Sequence, residues 1–428
     1  MLKRSQLNES ENKELDQLLG DKLISPRYKS QSIANIPATV GKLLGVNRGY
    51  SSPSLDNEIL TNLGDDIERV VLLVVDGMGF NRLQRQLKEN DSGFNEILAN
   101  YGQVFSPITS VSPSTTCVAT SVLLSNGATA AEMGMLGYSF LLPQLALVAN
   151  MLFWLPAYKP TARIAELTDW GIKPEDFLPN LSMAQTLSAA KIPMRVMMPD
   201  IYKNSPLSRM QLRGAEVDGY VGDTDMWLKL STWLSETAYQ KAYAYAYNPV
   251  FDTLSHRDTA DAPIWDALWQ EFNFQLRRFI SSLTSEQRHK TLFLITADHG
   301  HVATPLDKRI IIEEHPFLLD NSIMMPGGEP RQMYLYAQNG KKDALLNYAQ
   351  ENLSSFLALD AQEALELGLY GDIAKMHPDT PRRLGDVVLI SLDSSYLWPR
   401  AVNRKLLSKH GGLLADEMIV PFIGLRFD

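Results

Sequence analysis

The sequence predicts an α/β fold with a central, mostly parallel sheet flanked by helices. Two apolar runs carry this reading, Val70-Val-Leu-Leu-Val-Val75 and Thr291-Leu-Phe-Leu-Ile-Thr-Ala297. Neither alternates polar with apolar, which suits strands covered on both faces. Each run stops abruptly at an acid, Asp76-Gly77 in the first and Asp298-His299-Gly300 in the second. Ligands in open α/β sheets gather beyond the carboxyl ends of the strands, so both aspartates are expected at the rim of a site. Taken alone, Asp76-Gly77 reads equally well as a turn closing a core strand.

Length and composition agree with this class. A chain of 428 residues can bury a large core, as two domains or as one domain with insertions. A hydrophobic content of 45% with 21% charged residues is that of a soluble globular protein. The net charge of -9 and the lack of a Lys/Arg cluster argue against a surface that coats nucleic acid. One cysteine, Cys117, rules out an internal disulfide and a Cys-rich zinc site, and suits a reducing compartment. No apolar run follows Lys3-Arg4, so no secretory signal is expected, and the expected location is cytoplasmic. The one stretch of membrane length, residues 139–158, carries two prolines, Gln144 and Asn150, and is expected as buried strand and loop rather than a span.

In chain order, residues 1–65 are polar, with turn signals at Ser25-Pro26 and Ser51-Ser52-Pro53, and are expected to wrap the core. After the first strand, Asn81 to Asn100 reads as one amphipathic helix and Val104 to Val111 as a strand. Ser112-Pro113-Ser114-Thr115-Thr116 then leads into Cys117-Val-Ala-Thr-Ser-Val-Leu-Leu, which ends at Asn126-Gly127 and reads as strand, turn and helix. Thr115 or Thr116 therefore stands at a helix N-terminus, where free N–H groups favour an anion and a hydroxyl losing its proton. N-capping alone would also explain a threonine there. Met194 to Met198 reads as a further strand, and the alternating Tyr243 to Phe251 empties into Asp252 and His256. An acid and an imidazole four residues apart share one face of a helical turn and suit one metal. His301 follows the second strand end and is a candidate substrate-binding residue, with a supporting role behind the ligands or a surface role as the equal alternative. From residue 331 on, strand (Arg331 to Ala337), helix (Lys342 to Leu357), helix (Ala361 to Leu367) and strand (Asp386 to Leu392) form an α+β insertion over residues 326–402, expected to cover the site. The chain returns with Lys409-His410-Gly411-Gly412, where two glycines let the backbone approach a neighbour closely.

Three carboxylates and three imidazoles at separate strand ends suit two borderline divalent ions, Zn²⁺ or alternatively Mn²⁺. Such a pair, roughly 4 Å apart, clamps the attacking and leaving oxygens of a displacement at phosphorus. The ordered set Val-Val-Asp76-Gly, Pro113-Ser-Thr-Thr116, Asp252-x3-His256, Ala-Asp298-His299-Gly and His410-Gly-Gly resembles the alkaline phosphatase superfamily, and most of all its type I phosphodiesterase/nucleotide pyrophosphatase branch. That resemblance implies that Asp76, Thr116, Asp298 and His299 hold one metal, and that Asp252, His256 and His410 hold the other. It implies Thr116 as nucleophile, three residues after the proline, forming a phospho-threonine intermediate that water then hydrolyses. The resemblance covers roughly residues 66–140, 190–326 and 384–424; with the readings above, the chain divides into a wrap (1–65), an alkaline-phosphatase-like hydrolase core (66–325 and 403–428) and the insertion. The implied substrate is a small phosphorylated molecule of nucleotide type, with no membrane involved.

Two departures from that branch bear on specificity. The Phe-Pro-Asn-His that commonly follows the nucleophile is Cys117-Val118-Ala119-Thr120 here, and the asparagine that binds a phosphate oxygen falls at Tyr138, a candidate donor in its place. A sulfatase is excluded because Cys117-Val-Ala-Thr-Ser lacks the Cys-x-Pro-x-Arg pattern. The remaining alternatives are a phosphomonoesterase or phosphomutase on the same scaffold, and a metal-stabilised binding module without activity.

Overall fold

A computed structural model of the chain describes residues 7, 11–400 and 405–427. Residues 1–6 and 8–10, which carry most of the N-terminal stretch read above as no secretory signal, lie outside the described residues, as do residues 401–404 and 428 of the core segment and its border. The central sheet runs, in spatial order, Gly102–Thr109, Ile419–Arg426, Thr291–Thr296, Arg69–Val75, Ala242–Asn248, Met194–Pro199 and Glu216–Tyr220. The five strands from Thr291–Thr296 to Glu216–Tyr220 are parallel, whereas Ile419–Arg426 pairs antiparallel with both its neighbours. Every residue of the Arg69–Val75 and Thr291–Thr296 strands is buried, as unbroken apolar runs require. The exception in type, Arg69, sits at the strand's start, where its guanidinium donates to the carbonyls of Leu234, Glu286 and His289, each at 2.6 Å.

Register delivers the site. Val75 stands beside Asn248, and Val74 beside both Tyr247 and Thr296, so three parallel strands end along one edge. Asp76, the helix Val250–Asp258 and Asp298 all leave from that edge.

Several elements differ from expectation. The single helix expected over Asn81 to Asn100 is two, Phe80–Glu89 and Phe94–Tyr101. Asp91 accepts from the N–H of Gly93 (3.2 Å) and of Asn95 (2.7 Å), while Ser92 and Gly93 take left-handed φ of 53° and 87°. This local carboxylate turn outcompetes helix continuation. The helix begun at Lys342 ends at Asn352, and Phe356–Asp360 is a strand antiparallel to Val387–Ser391. Ser354-Ser355 are poor helix formers, and strand pairing buries Phe356 and Ala358.

A second, antiparallel sheet runs Phe356–Asp360, Val387–Ser391, Gln332–Leu335, Gly327–Glu329, Ser139–Leu142, Leu147–Asn150 and Leu155–Pro156. The residues of 139–158 thus extend the sheet of the 326–402 segment, and no helix among the described residues is long and apolar enough to cross a membrane. The sheet is joined to the loop bearing His410 by the buried pair Arg331–Glu417, with Nε–Oε1 at 2.6 Å and Nη2–Oε2 at 2.9 Å. Glu417 also accepts from the Gly412 N–H at 2.9 Å, and Arg331 donates to the Asp393 and Ser395 carbonyls. Glu417→Ala leaves this guanidinium buried without a counter-ion. The expected loss is about 3–5 kcal/mol of stability, read by denaturant unfolding.

Candidate functional site

The three aligned strand ends and two loops bring the acids and imidazoles together. Asp76 follows Val75 directly, is buried, and accepts a short hydrogen bond from the Tyr247 hydroxyl through Oδ2. Asp298, also buried, accepts through Oδ1 from the N–H groups of Gly77 (3.2 Å) and His299 (3.0 Å). Asp252 and His256 lie one turn apart on the helix Val250–Asp258, with Nε2 of His256 at 3.3 Å from Asp252 Oδ1.

Thr116 is the first residue of the helix Thr116–Leu124, and Thr115, extended at φ -136°, is its N-cap. The strand-turn-helix pattern left these two open and the family resemblance favoured Thr116; the Thr116 hydroxyl is the one at 3.1 Å from His299 Nε2. The loop before the helix is tied to the His410 loop. Ser114 Oγ donates to the Gly412 carbonyl at 2.7 Å and accepts from the Gly411 N–H at 3.3 Å.

The wiring of the imidazoles is the most informative feature. His256 Nδ1 faces the Ser408 carbonyl at 2.7 Å, His299 Nδ1 the Gly300 carbonyl at 3.1 Å, and His410 Nδ1 the Ser114 carbonyl at 3.1 Å. A backbone carbonyl only accepts, so each Nδ1 carries the proton and each Nε2 turns a lone pair toward the carboxylates. This is how a protein orients imidazole for a metal. Asp76 Oδ1 and Asp298 Oδ2 are buried without a hydrogen-bond partner, which a cation would supply. Burial, then the carboxylates of Asp252 and Asp298, push Asp76 well above the usual carboxylate range. At Asp252 burial also opposes the charge, but His256, His301 and His410 hold the carboxyl well below that range. The donor set therefore fits divalent cations. Three triads have ligand atoms within 4.8 Å of one another: Asp76, Asp298 and His299; Asp252, His299 and His410; and Asp252, His256 and His301. His410 stacks on His299 with ring centres 3.6 Å apart.

His301, a candidate for binding substrate or for a supporting role, meets the Asp252 carboxylate. Its Nε2 lies 2.8 Å from Asp252 Oδ1, the oxygen that His256 also faces, and its Nδ1 3.2 Å from Ser408 Oγ. Gly77 makes this possible. Its φ is +75°, and a Cβ there would lie 2.8 Å from the His301 ring and 3.0 Å from the Asp252 backbone.

A cavity of about 500 Å³ opens beside Thr116, Asp252, His256 and His410, with its other walls from the second sheet and residues 150–162. Tyr138 lines it. Two residues that no motif pointed to line it as well. Glu329, at the end of the strand Gly327–Glu329, accepts from the Tyr138 N–H at 2.6 Å. Lys409 donates to Thr304 Oγ1 (3.0 Å) and the Leu406 carbonyl (2.6 Å), its Nζ lies 3.6 Å from the centre of the Tyr396 ring, and burial pulls it down to about 7. Leu152, Phe153, Tyr158 and Trp398 make much of the remaining wall apolar.

The family model of type I phosphodiesterase / nucleotide pyrophosphatase matches residues 70–412. No curated protein matches the chain. Among solved structures, murine ectonucleotide pyrophosphatase / phosphodiesterase 5 superposes with a TM-score of 0.63 at 17% identity, over 83% of this chain and 87% of that one. An inactive threonine-to-alanine variant of the same murine protein, in complex with AMP, gives 0.63 at 16% identity with the same coverage. Phosphonoacetate hydrolase from Sinorhizobium meliloti 1021, in complex with phosphonoformate, gives 0.61 at 16% identity, over 85% of this chain and 91% of that one. At these identities the structures speak for the fold.

Proposed function

The chain belongs to the type I phosphodiesterase / nucleotide pyrophosphatase family, and from that membership we propose that it is a two-metal hydrolase that cleaves phosphodiester or pyrophosphate bonds through a phospho-threonine intermediate. The observation that carries the proposal is the shared wiring of His256, His299 and His410, with Nδ1 on a backbone carbonyl and Nε2 turned toward the carboxylates and, for His299, the Thr116 hydroxyl. Asp76, Thr116, Asp298 and His299 would hold one ion, and Asp252, His256 and His410 the other. When bound, two such ions lower the pKa of hydroxyl and water and neutralise charge developing at phosphorus; Zn²⁺ is our first choice and Mn²⁺ the second.

This chain's own residues supply the rest. The N-terminus of the helix Thr116–Leu124 directs N–H groups at an incoming phosphoryl oxygen. Thr116 Oγ1 bonds to phosphorus as the ester oxygen departs, and water then breaks the Thr116–phosphate bond and restores the hydroxyl. His301 keeps Asp252 oriented, and the Arg331–Glu417 pair anchors the loop that presents His410. We read 66–325 with 403–428 as the catalytic core, 1–65 as its wrap, and 326–402, extended by 139–158, as the part that selects the substrate. The substrate class is a small phosphorylated molecule, in keeping with the neighbours seen with AMP and phosphonoformate. The single buried cysteine suits a reducing compartment, where we expect the protein to act.

The direct test is hydrolysis of bis-p-nitrophenyl phosphate against p-nitrophenyl phosphate. The diester is expected to turn over faster, chelation with EDTA to abolish the activity, and Zn²⁺ or Mn²⁺ to restore it. Preference for the monoester would support the phosphatase or phosphomutase reading instead. No turnover of either compound in metal-loaded protein would favour a binding module.

A further inference from the structure

We propose that Glu329, as a protonated carboxylic acid, is a catalytic residue that donates a hydrogen bond to a phosphoryl oxygen of the bound substrate. This rests on the reading of Thr116 as the nucleophile and adds to it a group that no motif identifies. Glu329 is 5% exposed, and it lines the cavity together with Thr115, Thr116 and Tyr138. Its position is built in. Oε1 accepts from the Tyr138 N–H at 2.6 Å, and the Thr115 side chain also hydrogen-bonds to the carboxyl. Gly411, at φ +104°, has no side chain because a Cβ there would lie 2.7 Å from Cβ and Cγ of Glu329.

Charge decides which form of Glu329 is compatible with substrate. The described residues bring no cationic side chain into ion-pair contact with it, and the nearby Glu417 already has Arg331 as its counter-ion. An ionised Glu329 is acceptor-only, as the phosphoryl oxygens are, so it would repel the substrate and hydrogen-bond nothing on it. The neutral acid keeps the Tyr138 N–H bond on Oε1 and has one O–H to donate through Oε2. Burial favours the same form, pushing the carboxyl up to about 8. A carboxylic acid kept neutral by its surroundings so that it can donate is an established way to stabilise a developing oxyanion. The position also fits the departure at Tyr138. Where the family branch offers an asparagine amide, this chain offers the Tyr138 backbone N–H, and that N–H is occupied in holding Glu329.

The experiment compares Glu329→Ala, Glu329→Met and Glu329→Gln in the metal-loaded, full-length protein, with Thr116→Ala as a control. Metal content and thermal unfolding are measured for each. Glu329→Ala is expected to lower kcat for bis-p-nitrophenyl phosphate by about 10²–10³-fold, the usual effect of removing one oxyanion donor, with a smaller change in KM and both metals retained. Glu329→Met fills the same volume without a donor and should show the same loss, which covers a failure of the alanine variant to fold. Glu329→Gln restores a neutral donor and should recover most of the lost kcat. Full activity in the methionine variant would overturn the proposal. So would a glutamine variant as impaired as methionine, or one whose main change is a gain in p-nitrophenyl phosphate turnover, since either points to a working negative charge. If Thr116→Ala itself stays active, the reading of the nucleophile fails first; if only the Glu329 variants are neutral, this inference fails alone.

Discussion

Thr116→Ala is expected to abolish turnover, by at least about 10⁴-fold, the scale on which removing a nucleophile disables a catalytic unit. The Thr116 hydroxyl stands at the start of its helix, 3.1 Å from His299 Nε2, whereas the neighbouring Thr115 side chain is engaged by Glu329. The carboxylates and imidazoles around it are untouched by the substitution, so bound metal should stay at about two ions per chain. Thr116→Ser keeps a hydroxyl and should keep measurable activity. Trapping with a slow diester should label wild type at Thr116 and leave the alanine variant unlabelled. Wild-type-like activity in Thr116→Ala would remove the covalent mechanism.

The second large effect concerns Asp298. Its replacement by alanine is expected to cost about one bound metal ion per chain after dialysis, together with nearly all activity, because the carboxylate is one of two in its cluster with a buried, unpartnered oxygen. Stability should also fall, since the N–H groups of Gly77 and His299 lose their acceptor, at about 1–3 kcal/mol for each buried donor left unpaired. Asp298→Asn separates the two effects. It retains an acceptor for those N–H groups and should unfold close to wild type while still binding one metal fewer. Metal content unchanged in both variants would take Asp298 out of the ligand set.

Much of the site was legible because its residues sit where local chemistry marks them. An unbroken apolar strand stopping at Asp76 or Asp298, a helix start at Thr116 and a one-turn Asp252/His256 spacing are all short-range features, and the structure brings these residues together. Less was legible where distant chain segments meet. Ser139–Leu142 continues the sheet that contains Gly327–Glu329, a contact between residues far apart in sequence that no periodicity announces. The split of Asn81 to Asn100 into two helices turned on one side chain, Asp91, capping the N–H of Asn95.

The sequence by itself determined the fold class and the identity of the acids, imidazoles and threonine, because each is tied to the end of a strand or helix that its own neighbours specify. Only the tertiary structure decided how those groups are used. Whether an imidazole presents Nε2 outward depends on which carbonyl faces its Nδ1: Ser408 for His256, Gly300 for His299 and Ser114 for His410. For His301 the partner at Nδ1 is the Ser408 hydroxyl, and that ring turns to Asp252 instead of the cavity. Glu329 lines the cavity for the same reason, since its burial and its hydrogen bonds arise only when Tyr138, Thr115 and Gly411 close around it.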